Sequence, residues 1–76
     1  MTKNFIPMGS TIYNVDNQNE WIIYYSEFST KENDWLYLLI LADNKSPVIL
    51  GDKTKITGKY ITERIKSNKL ILNKTT

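Results

Sequence analysis

The segment Trp35–Ala42 constrains the fold more than any other part of the chain. It is eight consecutive apolar residues, Trp-Leu-Tyr-Leu-Leu-Ile-Leu-Ala, in a sequence of 76. A membrane-spanning helix needs about 20 apolar residues, so this run reads as a strand with neighbours on both sides. Asp34 and Asp43 bracket it and serve as charged guards against aggregation.

Further strands are expected on either side. Ser10–Val15 alternates, with Thr11, Tyr13 and Val15 on one side, and Glu20–Phe28 is rich in β-branched and aromatic residues. Asp16-Asn17-Gln18-Asn19, Ser29–Asp34 and Asp43-Asn44-Lys45-Ser46-Pro47 are turn segments, because Asn and Asp tolerate left-handed backbone and bond their own main chain. Val48–Leu50 begins a fourth strand, which Gly51 breaks before Thr54–Ile56. Lys69–Asn73 closes the series through Leu70, Ile71 and Leu72.

Between the last two strands the period changes. Ile61 and Ile65 are four residues apart, with Lys59, Thr62, Glu63 and Lys66 on the other side. This predicts a short helix near 58–67, with Thr57 as N-cap and Asn68 as C-cap. Such a helix is too short to stand alone and must dock on the sheet. A strand over Gly58–Ile65 is the competing assignment.

The predicted order is β-β-β-β-α-β in one mainly β domain, α+β at the margin. It forms a small antiparallel meander or an SH3-like barrel, with residues 1–8 and 74–76 as flexible ends. The chain resembles SH3-like barrels in element order only: those have a short helical turn before the last strand, and the helix here is longer. The resemblance carries no functional residues.

Strand register decides which side chains share a face. Pairing Glu27 with Leu36 sets a carboxylate beside an aliphatic row, whereas pairing Glu27 with Tyr37 avoids this. The second register sends Ile22, Tyr24, Phe28, Leu36, Leu38 and Ile40 into the core. It gathers Trp21, Tyr25, Trp35 and Tyr37 on the opposite face. Two Trp and two Tyr on one face are either covered by the rest of the fold or form a protein-binding or self-association surface.

Several chemistries lose their usual residues. The chain has no cysteine and no histidine, which removes disulfides, the common zinc ligands, the neutral-pH general base and the usual nucleophile–base pairs. Gly9, Gly51 and Gly58 are scattered, so no phosphate-cradling loop exists, and Gly51-Asp52-Lys53-Thr54 reads as a turn. A β-domain this small rarely encloses a ligand pocket. No enzyme activity, metal or cofactor is expected. Met1–Ser10 lacks the apolar run of a secretory signal, so a cytoplasmic location without membrane association is expected.

Charge is uneven. Residues 1–50 carry three lysines and six acids, a net of −3, whereas residues 51–76 carry seven cations and two acids, a net of +5. Such asymmetry either solvates one face or marks a site for an anionic partner. Lys53, Lys55, Lys59, Arg64, Lys66 and Lys69, with Tyr60 among them, make nucleic-acid binding by a small β-barrel the alternative function. A total charge of +2 and a single arginine weigh against it. The favoured function is a non-enzymatic protein-interaction module, an adaptor or inhibitor acting through Trp21, Tyr25, Trp35 and Tyr37. By analogy, phages and mobile elements often encode proteins of this kind to block a host factor.

Overall fold

The computed structural model describes residues 5–73. Five strands form one antiparallel sheet in the order β4-β3-β2-β1-β5. They are β1 (Thr11–Asn14), β2 (Glu20–Ser29), β3 (Asp34–Leu41), β4 (Lys55–Thr57) and β5 (Leu70–Asn73); helix α1 (Gly58–Lys66) precedes β5. The first four strands are a meander. α1 then crosses one face of the sheet to deliver β5 to the opposite edge, packing on β3, β4 and β5.

Local sequence accounts for the hairpins. The Asn14–Asn19 and Leu41–Ser46 connections share one bonding pattern. Gln18 N–H donates to the Asn14 carbonyl as Lys45 N–H does to Leu41, and Asn14 and Leu41 N–H donate to the Asn19 and Ser46 carbonyls. Both loops carry Asp-Asn in the middle, and Asn17 and Asn44 Oδ1 accept the N–H two residues on. Both finish on a residue with positive φ, Gln18 at 62° and Lys45 at 61°. In the β2–β3 loop Asn33 has φ 53°, and Ser29 Oγ accepts the Glu32 N–H.

α1 is capped at both ends. Thr57 Oγ1 accepts the Tyr60 N–H, and Asp34 Oδ2, from the start of β3, accepts the Lys59 N–H at 2.8 Å. This satisfies donors that the first helical turn leaves open. At the other end Asn68 takes φ 61°, while Asn68 and Lys69 N–H donate to the Ile65 and Arg64 carbonyls, the paired bonds of a Schellman ending. The helix assignment and the Thr57 N-cap therefore stand, whereas the C-cap is Ser67, one residue before the expected Asn68, which takes the left-handed position just beyond it.

The core lies on the face that α1 covers. It is built from Ile12, Trp21, Ile23, Tyr37, Leu39, Ile56, Ile61 and Leu70, with Ile6 from the segment before β1 and Val48 from the β3–β4 connection. Tyr37 is fully buried, and its hydroxyl accepts the Ile6 N–H at 3.0 Å, giving the phenol the partner burial requires. Residues 5 and 6, within the stretch expected to be loose, therefore pack on the sheet. Of the other residues expected to be loose, Pro7 accepts the Ser10 N–H through its carbonyl and Met8 is exposed; residues 1–4 and 74–76 lie outside the described ones.

Two expectations need correction. Glu27 pairs with Leu36, not Tyr37; Ser26 faces Tyr37, and the register shifts between Ile23 and Tyr25. Tyr24 is thus an extra, bulged residue, and a bulge exchanges the faces of all that follows. It aligns Trp21 and Ile23 with the side of β3 that carries Tyr37 and Leu39. Leu36, Leu38 and Ile40, expected in the core, lie on the other face, half-exposed. Ile22 joins them there opposite Ile40, and Tyr24 and Phe28 are exposed. The second correction concerns the fourth strand. Val48 N–H bonds the Leu39 carbonyl and Pro47 bridges Ile40, but Gly51, with φ 67°, turns the chain. Leu50 and Lys53 exchange backbone bonds across it, and regular pairing resumes only at Lys55–Thr57. Among the described residues no helix is long and apolar enough to cross a membrane.

Candidate functional site

The four aromatic residues expected to share a surface are divided between the two faces. Trp21 and Tyr37 are core residues, 3% and 0% exposed. Trp35 lies at the margin of the covered face, its ring centroid 4.6 Å from that of Phe5 at a tilt of 58° and edge-on at 5.6 Å to Phe28. Tyr25 alone reaches the opposite face, where it stands 46% exposed opposite Leu38.

That opposite face is the principal candidate site. The registers place Ile22, Leu36, Leu38 and Ile40 at its centre. Tyr13 and Ile71, paired across β1 and β5, extend it toward one edge. Tyr13, Tyr25 and Ile71 are exposed, and no described element packs over this side; α1 and the N-terminal segment lie on the other. A soluble domain seldom leaves so apolar a sheet surface bare.

Charged residues frame the patch. Lys55 Nζ lies 3.0 Å from Glu27 Oε2, both side chains about two-fifths exposed, and 6.0 Å from the Tyr25 ring centroid. Glu20 stands beside Tyr13. An exposed ion pair of this kind contributes at most about 1 kcal/mol; here it neutralises a carboxylate set beside Leu36. Glu27 is tolerated next to an aliphatic row because that row faces solvent.

The basic group expected for nucleic acid is dispersed. Lys53 sits in the Gly51 turn and Lys55 on the open face. Lys59, Tyr60, Arg64 and Lys66 belong to α1, where the Arg64 guanidinium lies 4.9 Å from the Tyr60 ring centroid. Lys69 follows the helix and approaches Asp16 Oδ1 at 3.7 Å. Only one aromatic ring accompanies these cations on the helix.

Burial raises the Tyr37 ionisation above the ordinary tyrosine value, with Asp34 adding to the rise against the Ile6 hydrogen bond. A phenol held neutral inside a core is a structural group. Among the described residues no cluster of three or more Asp or Glu could hold a metal ion. A concavity of about 390 Å³ lies at the β4 edge, within the size range of ligand clefts.

Two features of the site were not legible in the sequence. Leu36, Leu38 and Ile40 were expected inside, and no local signal marks them as the open row, because both rows of β3 are apolar. Asp34 caps α1 in addition to bounding the apolar run; its long-range role has no local signature. No protein-family model, curated protein or solved structure matches the chain.

Proposed function

We propose that this protein is a non-enzymatic interaction module that binds another protein across the open face of its sheet. The observation that carries this is the row Ile22, Leu36, Leu38 and Ile40, flanked by Tyr13, Tyr25 and Ile71, on a sheet whose other face is already filled. Tyrosine is among the residue types that dominate interface energetics, and the aliphatic row adds apolar area to be removed from water. Glu20, Glu27 and Lys55 at the margin give orientation more than affinity.

The test is capture of a partner from the native cell by the tagged chain, compared with Ile22→Glu and Leu38→Glu. Both positions are half-exposed, so the variants should fold, as circular dichroism would verify. Loss of capture by both folded variants supports the proposal; capture undiminished by either refutes it. A dimer of the wild-type chain on size exclusion, lost in the same variants, assigns the face to self-association instead.

Nucleic-acid binding is a second reading, favoured by the Arg64–Tyr60 pair beside Lys59 and Lys66 on α1. Phosphate binding weakens steeply between low and moderate salt, whereas the apolar face should be far less sensitive. A random single-stranded DNA or RNA pool with no low-salt shift eliminates this reading.

A further inference from the structure

Two unlike elements close the covered face of the sheet. α1 is capped at both ends and continues toward β5, whereas residues 5–8 belong to no helix or strand. Their one hydrogen bond to the sheet among the described residues runs from Ile6 N–H to Tyr37 Oη at 3.0 Å. Their apolar contacts are the Ile6 side chain, 3% exposed, and the Phe5 ring against Trp35. Met8 is exposed.

Firm anchoring begins where this segment ends. Gly9 N–H donates to the Ile23 carbonyl at 2.9 Å and Ile23 N–H to the Ser10 carbonyl at 3.0 Å, which ties the chain to β2. Between anchor and segment lies a tight turn, closed by Ser10 N–H on the Pro7 carbonyl at 3.2 Å. Gly9 has φ 90° there, the left-handed third position that glycine fills without strain. Movement at this turn swings residues 5–8 and leaves the β1–β2–β3 registers untouched. One buried side chain, one ring contact and one hydrogen bond stabilise the seat, and the entropy of fixing four residues opposes them by a similar amount. Release of the segment therefore costs far less than unfolding the sheet.

We infer that Phe5–Met8 is a latch, which leaves and re-enters its seat about the Pro7–Ser10 turn while the sheet stays folded. Seated, it covers Trp35 and bonds the Tyr37 hydroxyl. Released, it opens both to solvent beside Phe28, which is already exposed and edge-on to Trp35. The latch thus withholds an aromatic surface on the helix side of the sheet. It operates whether or not a partner occupies the open face.

The test is native-state amide exchange of the full chain, followed by NMR in low concentrations of urea. The Ile6 amide should exchange about a hundredfold faster than those of Ile22 and Ile40, paired at the centre of the sheet, because it opens locally. Its rate should change little with urea, whereas theirs follows global unfolding. Gly9→Val disfavours the turn without touching the core; it should speed Ile6 exchange about tenfold and leave Ile22 and Ile40 nearly unchanged. A soluble nitroxide should then broaden the Trp35 ring signals more in Gly9→Val than in the wild type and leave those of Trp21 alone. Exchange of Ile6 at the rate of Ile22 and Ile40 in the wild type overturns the latch. Equal acceleration of all three amides by Gly9→Val overturns it, and so does Trp35 broadening that the variant does not alter.

Discussion

Replacing Leu38 and Leu39 one at a time by alanine separates the two faces of β3 with adjacent residues of identical chemistry. Leu39 is fully buried and belongs to the cluster with Trp21, Ile23 and Ile61. Truncating a leucine in such a site removes its transfer free energy and leaves a cavity, costing about 3–4 kcal/mol. Leu38 is half-exposed on the open face; part of its transfer free energy is never gained and no closed cavity forms, so the cost is about 1 kcal/mol. A domain of 76 residues has a total stability of about 4–11 kcal/mol, so the first loss is a large share of it. The unfolding entropy is about 0.16 kcal/mol/K for this length, which converts the two losses to about 20 °C and about 6 °C in Tm. Urea denaturation gives the same comparison as a midpoint shift at constant slope. Equal losses, or a larger loss for Leu38→Ala, would refute the assignment of the faces and restore Leu36, Leu38 and Ile40 to the core.

Tyr37→Phe leaves the buried Ile6 N–H without an acceptor and should cost about 1–2 kcal/mol by urea titration at neutral pH. The raised ionisation of Tyr37 also sets a pH dependence. The unfolded chain releases this proton near pH 10 while the native state still holds it, so the contribution is intact below about pH 10 and is lost as pH rises beyond that. Denaturation curves between pH 9 and 11 should therefore fall more steeply for the wild type than for Tyr37→Phe. Gln18→Gly and Lys45→Gly relieve left-handed backbone at 62° and 61° and should each raise stability by about 0.5–1 kcal/mol, the relief exceeding the added entropy of glycine. Asp34→Ala removes the acceptor of the Lys59 N–H and should cost about 1 kcal/mol, seen as a lower Tm with loss of amide protection in the first turn of α1.

The parts of the fold visible in the sequence are those encoded locally. Thr57 and Asn68 mark the ends of α1 because caps act on the backbone within a few residues. The two Asp-Asn loops mark hairpins for the same reason. The strands were visible as apolar and β-branched runs. Which face of β3 is inside was not visible, because both of its rows are apolar and period-2 alternation then carries no direction. The decision came from elsewhere: the bulge at Tyr24, the docking of α1 through Ile61, and Ile6 reaching Tyr37 from 31 residues away. The candidate site inherited that reversal. An aromatic quartet was expected; an aliphatic row with flanking tyrosines is present, and of the quartet only Tyr25 belongs to it.

The most direct measurement of the central claim is hydroxyl-radical footprinting of the chain alone and with its captured partner. The account predicts that Ile22, Tyr25, Leu36, Leu38 and Ile40 are labelled in the free chain, that Leu39 and Ile61 are not, and that the partner protects the first group. Protection confined to Lys59–Lys66 of α1, or a free chain in which Leu39 is labelled and Leu38 is not, would contradict it.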